Sequence, residues 1–223
     1  LWYSTGGSAN YTDLKNNDLG EGTLQARYIR GASGDKPYTL GKYESTRTRA
    51  AIAELAANGG APMGFYTRFT DPAARKVITQ YYRFIQRHDA IYRRNRSHAE
   101  AVLLFPRKSV HAGDVAPVEA FRQTGRALLD RHVLFDILPD DLAMADRLSG
   151  YSKVYQAGDG VQEGQTKFSA PPTVRVSASR PATGDALHLH FVNYNRTEPS
   201  QSKSPGGGIQ DEKPINVGGF RCT

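Results

Sequence analysis

Short apolar runs and amphipathic stretches alternate along the first 95 residues. Apolar positions at helical spacing predict a helix over about residues 20–30. Residues that favour extended structure predict a strand over 36–44, and a helix follows that ends at Asn58-Gly59-Gly60. A second apolar strand is predicted over 61–66. Strand, helix and strand joined by short loops form a right-handed unit, so we expect the two strands to be parallel.

A second α/β block follows the longest predicted helix, which begins at Asp71-Pro72 and ends near residue 93. Residues 101–106 are fully apolar and predict a strand, and further strands are predicted over 135–138 and 153–155. A helix begins at Pro117, after a predicted loop at 111–115. This alternation is typical of an open parallel sheet, although the glycine fingerprint for dinucleotides is missing.

The pattern changes after Gly158. Residues 158–172 are rich in Gly, Gln and Pro and predict a linker. Residues 173–178 and 186–194 alternate between apolar and polar positions, which predicts antiparallel strands with one face in water. After a long polar loop, residues 215–222 are expected to begin one more strand.

The composition and charge of the chain indicate which classes of binding partner to expect. No apolar run approaches the roughly 20 residues that span a bilayer, so no membrane partner is expected. The formal net charge is +7, and the densest basic cluster lies between Arg83 and Arg96. Clustered arginines can bind nucleic acid, but no nucleic-acid motif accompanies them, so a solvated helix face is favoured. The first residue is Leu1, without a signal-peptide pattern, and we expect the natural protein to begin upstream.

Three stretches in this order resemble a known family. They are the strand KPYTLGKYE at 36–44 with the Ala-rich helix after it, the helix end HDAIY at 88–92 that leads into strand 101–105, and LHLHFVNY at 187–194. Together they are similar to TIM-barrel glycoside hydrolases related to the β-galactosidases that carry a flavodoxin-like trimerisation domain. The resemblance begins at the C-terminal part of the barrel.

The resemblance implies an α/β fold class with three parts. Residues 1–95 would be the end of a (β/α)₈ barrel, and residues 96–157 a short, parallel, flavodoxin-like α/β domain. Residues 158–172 would be the linker, and residues 173–223 the start of an antiparallel β-sandwich. It further implies a homo-oligomer with a carbohydrate substrate, and a parent enzyme whose first five or so barrel strands precede this segment.

Candidate chemistry centres on Glu44. Glycosidases use a pair of carboxyl groups, and barrel active sites lie at the C-terminal ends of the strands. Glu44 follows a predicted strand, and the resemblance implies that it is the nucleophile. The alternative is a carboxylate that stabilises the first turn of the next helix. The family's acid/base residue lies on a strand that this segment lacks, so we expect the segment alone to be inactive.

Further candidates would bind the sugar. Aromatic and planar side chains near the predicted strand ends are Trp2, Tyr3, Tyr43, Arg47, Tyr66 and Arg68. Tyr66 could instead pack inside the barrel, and Trp2 could belong to a frayed end. His188 and His190 alternate on one strand, but two ligands are too few for zinc, so solvent-facing histidines are favoured and no metal or cofactor is expected.

Two alternatives remain open beside the glycosidase fragment. The chain could be a non-catalytic oligomerisation or carbohydrate-binding module of a multidomain protein. It could also be a pseudoenzyme that keeps the barrel without its pair of carboxylates. Glu54 does not supply the second carboxylate, because its place inside a helix predicts a surface or helix-packing residue.

Overall fold

A computed structural model of the chain describes residues 2–4, 12–13, 18–34, 36–41, 48–62, 72–197 and 213–223. Within these ranges the protein is a mixed α/β structure with both parallel and antiparallel sheets. Its first elements are β1 (Trp2–Ser4), β2 (Thr12–Asp13), β3 (Asp18–Leu19), α1 (Glu21–Ser33), β4 (Thr39–Gly41), α2 (Thr48–Ala57), β5 (Ala61–Pro62), α3 (Pro72–Arg87) and α4 (Asp89–Tyr92).

The first block contains a parallel sheet in the order β1-β4-β5. Thr39 pairs with Trp2 on one side and with Ala61 on the other. The predicted parallel pairing of the two strands around α2 is therefore confirmed, and β1 adds a third parallel strand. The described strands are shorter than predicted, since β4 covers residues 39–41 and β5 covers residues 61–62.

Helices α1 and α2 cover this sheet with an apolar core. Leu40 of β4 packs with Ile29 of α1 and Leu55 of α2, all of them buried. Helix α1 lies between two glycines in the left-handed conformation, Gly20 with φ 106° and Gly34 with φ 66°. Glycine adopts this conformation with the least strain, so the two positions favour the ends of the helix there.

The second block contains β6 (Asn95–Ser97), β7 (Ala101–Phe105), α5 (Arg107–His111), α6 (Ala116–Asp130), β8 (Phe135–Pro139), a 3₁₀ turn (Asp140–Leu142), α7 (Ala145–Leu148) and β9 (Lys153–Tyr155). All three predicted strands are present, and they form a parallel sheet in the order β8-β7-β9. In chain order this is 2-1-3, the order with which flavodoxin-like sheets begin. The predicted loop at 111–115 is partly helical, because α5 extends to His111.

The last block contains β10 (Val174–Pro181), β11 (His188–Asn193), β12 (Arg196–Thr197) and β13 (Lys213–Pro214). β10 and β11 are antiparallel, as predicted, and β6 pairs with the other side of β10. Strand β6 was not predicted. Its three residues occupy the expected boundary between the first two domains and join the later sheet.

Two sequence-based predictions for this block are wrong. Residues 174–179 of β10 are all buried, so neither face of that strand is in water. Among the polar positions of β10, Ser177 donates to the carbonyl of Ala57 in α2 at 2.7 Å, and Arg175 pairs with Asp130 at the end of α6 at 2.6 Å. Residues 215–222 do not form a strand, and their pairing is a single bridge between Cys222 and Phe168.

Candidate functional site

The carboxyl ends of the three parallel strands in the first block lie at the same edge of their sheet. β1 ends at Ser4, which pairs with Gly41 at the end of β4, and β5 ends at Pro62 beside Leu40. In parallel α/β structures the ligands bind at the carboxyl ends of the strands, where loops carry the functional side chains. This edge is therefore the first place to seek a site.

The predicted site residues belong to the segments that leave this edge. Glu44 and Tyr43 follow β4 in the sequence, and Arg47 directly precedes α2. These three residues, like Tyr66 and Arg68 after β5, lie outside the described residues. Trp2 and Tyr3 lie on β1, where the structure describes the backbone pairing alone.

A buried carboxylate lies behind the sheet, on α2. Glu54 is 5% exposed and accepts a hydrogen bond from the Thr23 hydroxyl of α1 at 2.7 Å. The two helices approach closely here, since a Cβ on Gly22 would lie 2.6 Å from a carboxylate oxygen of Glu54. Of the two roles that the sequence left open for Glu54, the structure selects helix packing.

Tyr194, after the end of β11, lies against the same carboxylate. It is fully buried, and its hydroxyl interacts with the Glu54 carboxylate and the Thr23 hydroxyl. Burial raises the pKa of Tyr194 well above its ordinary value, and the negative charge of Glu54 raises it further. The phenol therefore stays neutral far into the alkaline range.

A buried arginine connects this region to both later blocks. The Arg27 guanidinium of α1 donates to the side-chain oxygen of Asn58 at 3.0 Å, to the carbonyl of Phe135 at 2.9 Å and to the carbonyl of Val176 at 3.2 Å. It also stacks over the Phe135 ring, 4.4 Å from the centroid. Burial lowers the pKa of Arg27 to about 10, with the charge of Asp136 opposing that shift, so the group is a cation at neutral pH.

The two histidines of β11 are not solvent-facing, contrary to prediction. Both are half-buried, and the His190 ring lies 3.2 Å from the Ser179 hydroxyl. Burial lowers the pKa of His190, and the neighbouring His188 lowers it further. Across the part of the chain that the structure describes, no three His, Cys, Asp or Glu side chains are grouped so that they could hold a metal ion.

Arg27 and Tyr194 were missed by the sequence analysis. A weak signal was present, because Gly20, Thr23, Arg27 and Gly31 recur at helical spacing and mark a face of α1 with small side chains. Small residues permit close approach of other backbones, and a long arginine among them can reach several carbonyl groups. Tyr194 carried no such signal, since its position continues the ordinary alternation of β11.

Comparison with known proteins adds one structural likeness. No protein-family model and no curated protein matches the sequence. Among solved structures, α-L-fucosidase isoenzyme 2 from Paenibacillus thiaminolyticus matches with a TM-score of 0.41 and 21% identity, over 59% of this chain. The match spans 22% of the fucosidase chain. A likeness at this level does not indicate a function for this chain.

A helix that spans a membrane must be both long and apolar along its whole length. None of the described helices meets both requirements.

Proposed function

We propose that this chain contributes one wall of a glycoside hydrolase active site, at the carboxyl edge of the sheet β1-β4-β5. Glu44 is one of the two catalytic carboxylates in this proposal, and the acid/base partner comes from a part of the enzyme beyond these three strands. The observation that supports the proposal is the parallel pairing of β4 with both neighbours. That pairing brings three strand ends to one edge, and Glu44 belongs to the segment that follows the central strand.

The residue types around this edge suit a saccharide. Carboxylates at the site of bond cleavage stabilise an oxocarbenium-like transition state, either as nucleophile or as base. Aromatic rings cover the apolar faces of sugar rings, and arginine donates planar pairs of hydrogen bonds to hydroxyl groups. The proposed substrate-binding residues are Trp2, Tyr3, Tyr43, Arg47, Tyr66 and Arg68.

The test is turnover of a panel of aryl glycosides, including galactosides and fucosides, by the natural protein that carries this chain. Replacing Glu44→Gln is expected to lower kcat by about 10³-fold or more, because the amide cannot act as nucleophile or base. The matched control is Glu163→Gln, since that carboxylate is 72% exposed and pairs with Lys167, which is also exposed. We expect the control to retain wild-type turnover.

Wild-type kcat in the Glu44→Gln variant would contradict the catalytic assignment. A protein that neither hydrolyses any glycoside of the panel nor binds free saccharides would contradict the glycosidase proposal itself. Saccharide binding without turnover would instead favour a carbohydrate-binding module or a pseudoenzyme.

Assembly into a homo-oligomer is the second candidate function, and it is supported by exposed apolar side chains of the second block. Val115 and Met144 are 65% and 61% exposed, and each immediately precedes a helix of that block. Large apolar side chains in water favour burial at an interface. Light scattering is expected to show an oligomer that Val115→Glu with Met144→Glu dissociates, whereas a monomeric wild type would contradict this function.

A further inference from the structure

Strand β11 forms one edge of the last sheet, in which the strand order is β11-β10-β6. Within the described parts of the chain, its six residues pair with β10 and with no strand on the other side. An edge strand presents a row of unpaired backbone N–H and carbonyl groups, with which a strand of another chain can pair. The outer side of β11 is therefore a candidate interaction surface.

The hydrogen bonds to β10 show which residues of β11 direct their backbone groups outward. The N–H of Tyr194 donates to the carbonyl of Thr173 at 2.9 Å, in the register that pairs β10 with β11. In an antiparallel pair, hydrogen-bonded and non-bonded positions alternate along the strands. The even-numbered residues of β11 are therefore bonded to β10, whereas Leu189 and Phe191 direct their N–H and carbonyl groups away from it.

The outward groups of Leu189 and Phe191 have no hydrogen-bond partner among the described residues. Farther along, the edge is occupied, because the Asn193 side chain donates to the carbonyl of Ile215 at 2.8 Å. The N–H of Ile215 in turn donates to the carbonyl of Asn195 at 2.9 Å. The open part of the edge therefore extends from Leu187, which directly precedes β11, to Phe191.

The open edge is apolar and has no permanently charged side chain. Residues 186–195 include no Asp, Glu, Lys or Arg, although the chain has 29 basic and 22 acidic residues. Leu187 and Phe191 are 43% and 37% exposed, and the alternation of a strand places both on the same face as Leu189. Proteins commonly protect exposed edges with charged side chains, especially lysine. This edge lacks that protection, which favours a strand partner over water.

The edge is held in its extended conformation before any partner binds. The Phe191 ring stacks on Phe220 with 5.4 Å between their centroids, and it meets Phe168 edge-on at 6.0 Å. Leu189 packs against a buried cluster that includes Val176 of β10. Groups that are already ordered lose little conformational entropy on binding.

The side chains along the open edge are complementary to a second copy of the same strand. In an antiparallel pair centred on Leu189, this residue lies opposite the partner's Leu189, and Leu187 lies opposite the partner's Phe191. The exposed apolar side chains then cover one another, and each pair of outward residues exchanges two hydrogen bonds. Because each copy has a formal net charge of +7, an uncharged strip is also where two copies meet with the least repulsion.

From these observations we infer that β11 is a dimerisation edge, at which two copies of this chain pair antiparallel about a two-fold axis at Leu189. The two sheets join into one sheet of six strands, with β6, β10 and β11 from each copy, which is a usual size for a sheet. This contact is separate from Val115 and Met144 of the second block. It also requires neither Glu44 nor glycosidase activity.

The first test is disulfide cross-linking of the natural protein that carries this chain, with Cys222→Ser to remove the exposed thiol and Val115→Glu with Met144→Glu to exclude the other surface. Leu189→Cys is expected to form a disulfide between two copies on oxidation, because opposed residues of a bonded pair have Cα atoms about 5.5 Å apart. The matched control is Leu187→Cys on the same edge, because its two copies are displaced by four residues, about 13 Å. No cross-link in Leu189→Cys, or equal cross-linking of both variants, would overturn the inference.

The second test is the dissociation constant of the dimer, measured by analytical ultracentrifugation. Leu187→Lys places a charge opposite the partner's Phe191, and Leu189→Pro removes an outward N–H that the pairing with β10 does not use. Each variant is expected to raise the dissociation constant by at least about 10-fold. The control is Phe84→Lys, at a position on α3 that is 52% exposed, and it is expected to dimerise as the wild type does.

Leu187→Lys changes an exposed side chain outside β11, so this test stands even where the proline variant fails to fold. An unchanged dissociation constant in Leu187→Lys would overturn the inference. A wild type that stays monomeric, including one in which another segment of the natural protein pairs with β11, would overturn it as well.

Discussion

At the scale of the residue, Tyr194 shows what burial does to a titratable group. Its phenol is fully enclosed beside Glu54, and its pKa lies well above the ordinary value of 10.0. In the unfolded chain the same phenol ionises near pH 10. The folded state therefore holds the proton more tightly than the unfolded state. The stability that this difference contributes is fully present below pH 10 and is lost as the pH rises beyond it.

The variant Tyr194→Phe is expected to weaken this alkaline loss of stability. At pH 7 the free energy of unfolding should fall by only about 1 kcal/mol, because the change removes a single hydroxyl and its contact with Glu54. Urea unfolding at pH 7 and at pH 11 measures both effects, with Tyr28→Phe as the control tyrosine. An alkaline loss as steep as in the wild type would contradict the role assigned to Tyr194.

At the scale of the element, the contact of α1 with β8 is unusually close. A Cβ built on Gly31 would lie 1.8 Å from the carbonyl oxygen of Ile137, well inside contact distance. That oxygen belongs to the backbone of β8, an edge strand of the second sheet, and cannot rotate away as a side chain would. The helix therefore requires glycine here for space, although glycine lowers its intrinsic helical stability.

The variant Gly31→Ala distinguishes the steric requirement for glycine at this contact from the low helix propensity of glycine. Propensity alone predicts a gain of about 1 kcal/mol in a helix. We expect a net loss of about 2 kcal/mol or more instead, because overpacking against a backbone forces α1 away from β8. Ser33→Ala in the same helix is the control, with a change within about 0.5 kcal/mol. Chemical denaturation measures both, and a stabilised Gly31→Ala protein would show that the two elements separate without cost.

At the scale of the whole molecule, Arg27 joins all three blocks of the chain. Its side chain contacts Asn58 directly after α2, the second sheet through Phe135 and the last sheet through Val176. These acceptors lie 31, 108 and 149 positions away in the sequence. A second buried arginine, Arg175, acts similarly between Asp130 at 2.6 Å and the carbonyl of Leu19 at 2.9 Å.

The variant Arg27→Met keeps the length of the side chain and removes its donors. We expect a loss of about 3 kcal/mol in the free energy of unfolding, because three buried acceptors lose their partner at once. Arg27→Lys should recover only part of the loss, since one ammonium cannot match the guanidinium geometry. The control is Arg131→Met at an exposed position, and equal stability of the Arg27 and Arg131 variants would contradict the joining role.

Much of the secondary structure follows from the sequence alone, because it depends on local chemistry. The apolar run at 101–105 is a strand over those residues, and Pro72 begins a helix as predicted. The parallel pairing of β4 with β5 also follows from the sequence. A strand–helix–strand unit with short loops forms a right-handed crossover between parallel strands. The candidate role of Glu44 is likewise a prediction from the sequence, because it depends on the position of Glu44 after β4.

Only the tertiary structure decided which polar groups would be buried. The alternation in β10 is the same whether its polar face meets water or a helix, so the sequence could not show that Arg175 and Ser177 are covered by α1, α2 and their neighbours. The same holds for Arg27, whose acceptors are backbone carbonyls that no residue type reveals. Local periodicity reports which side chains share a face, whereas the partner of that face depends on contacts between residues more than 100 positions apart in the chain.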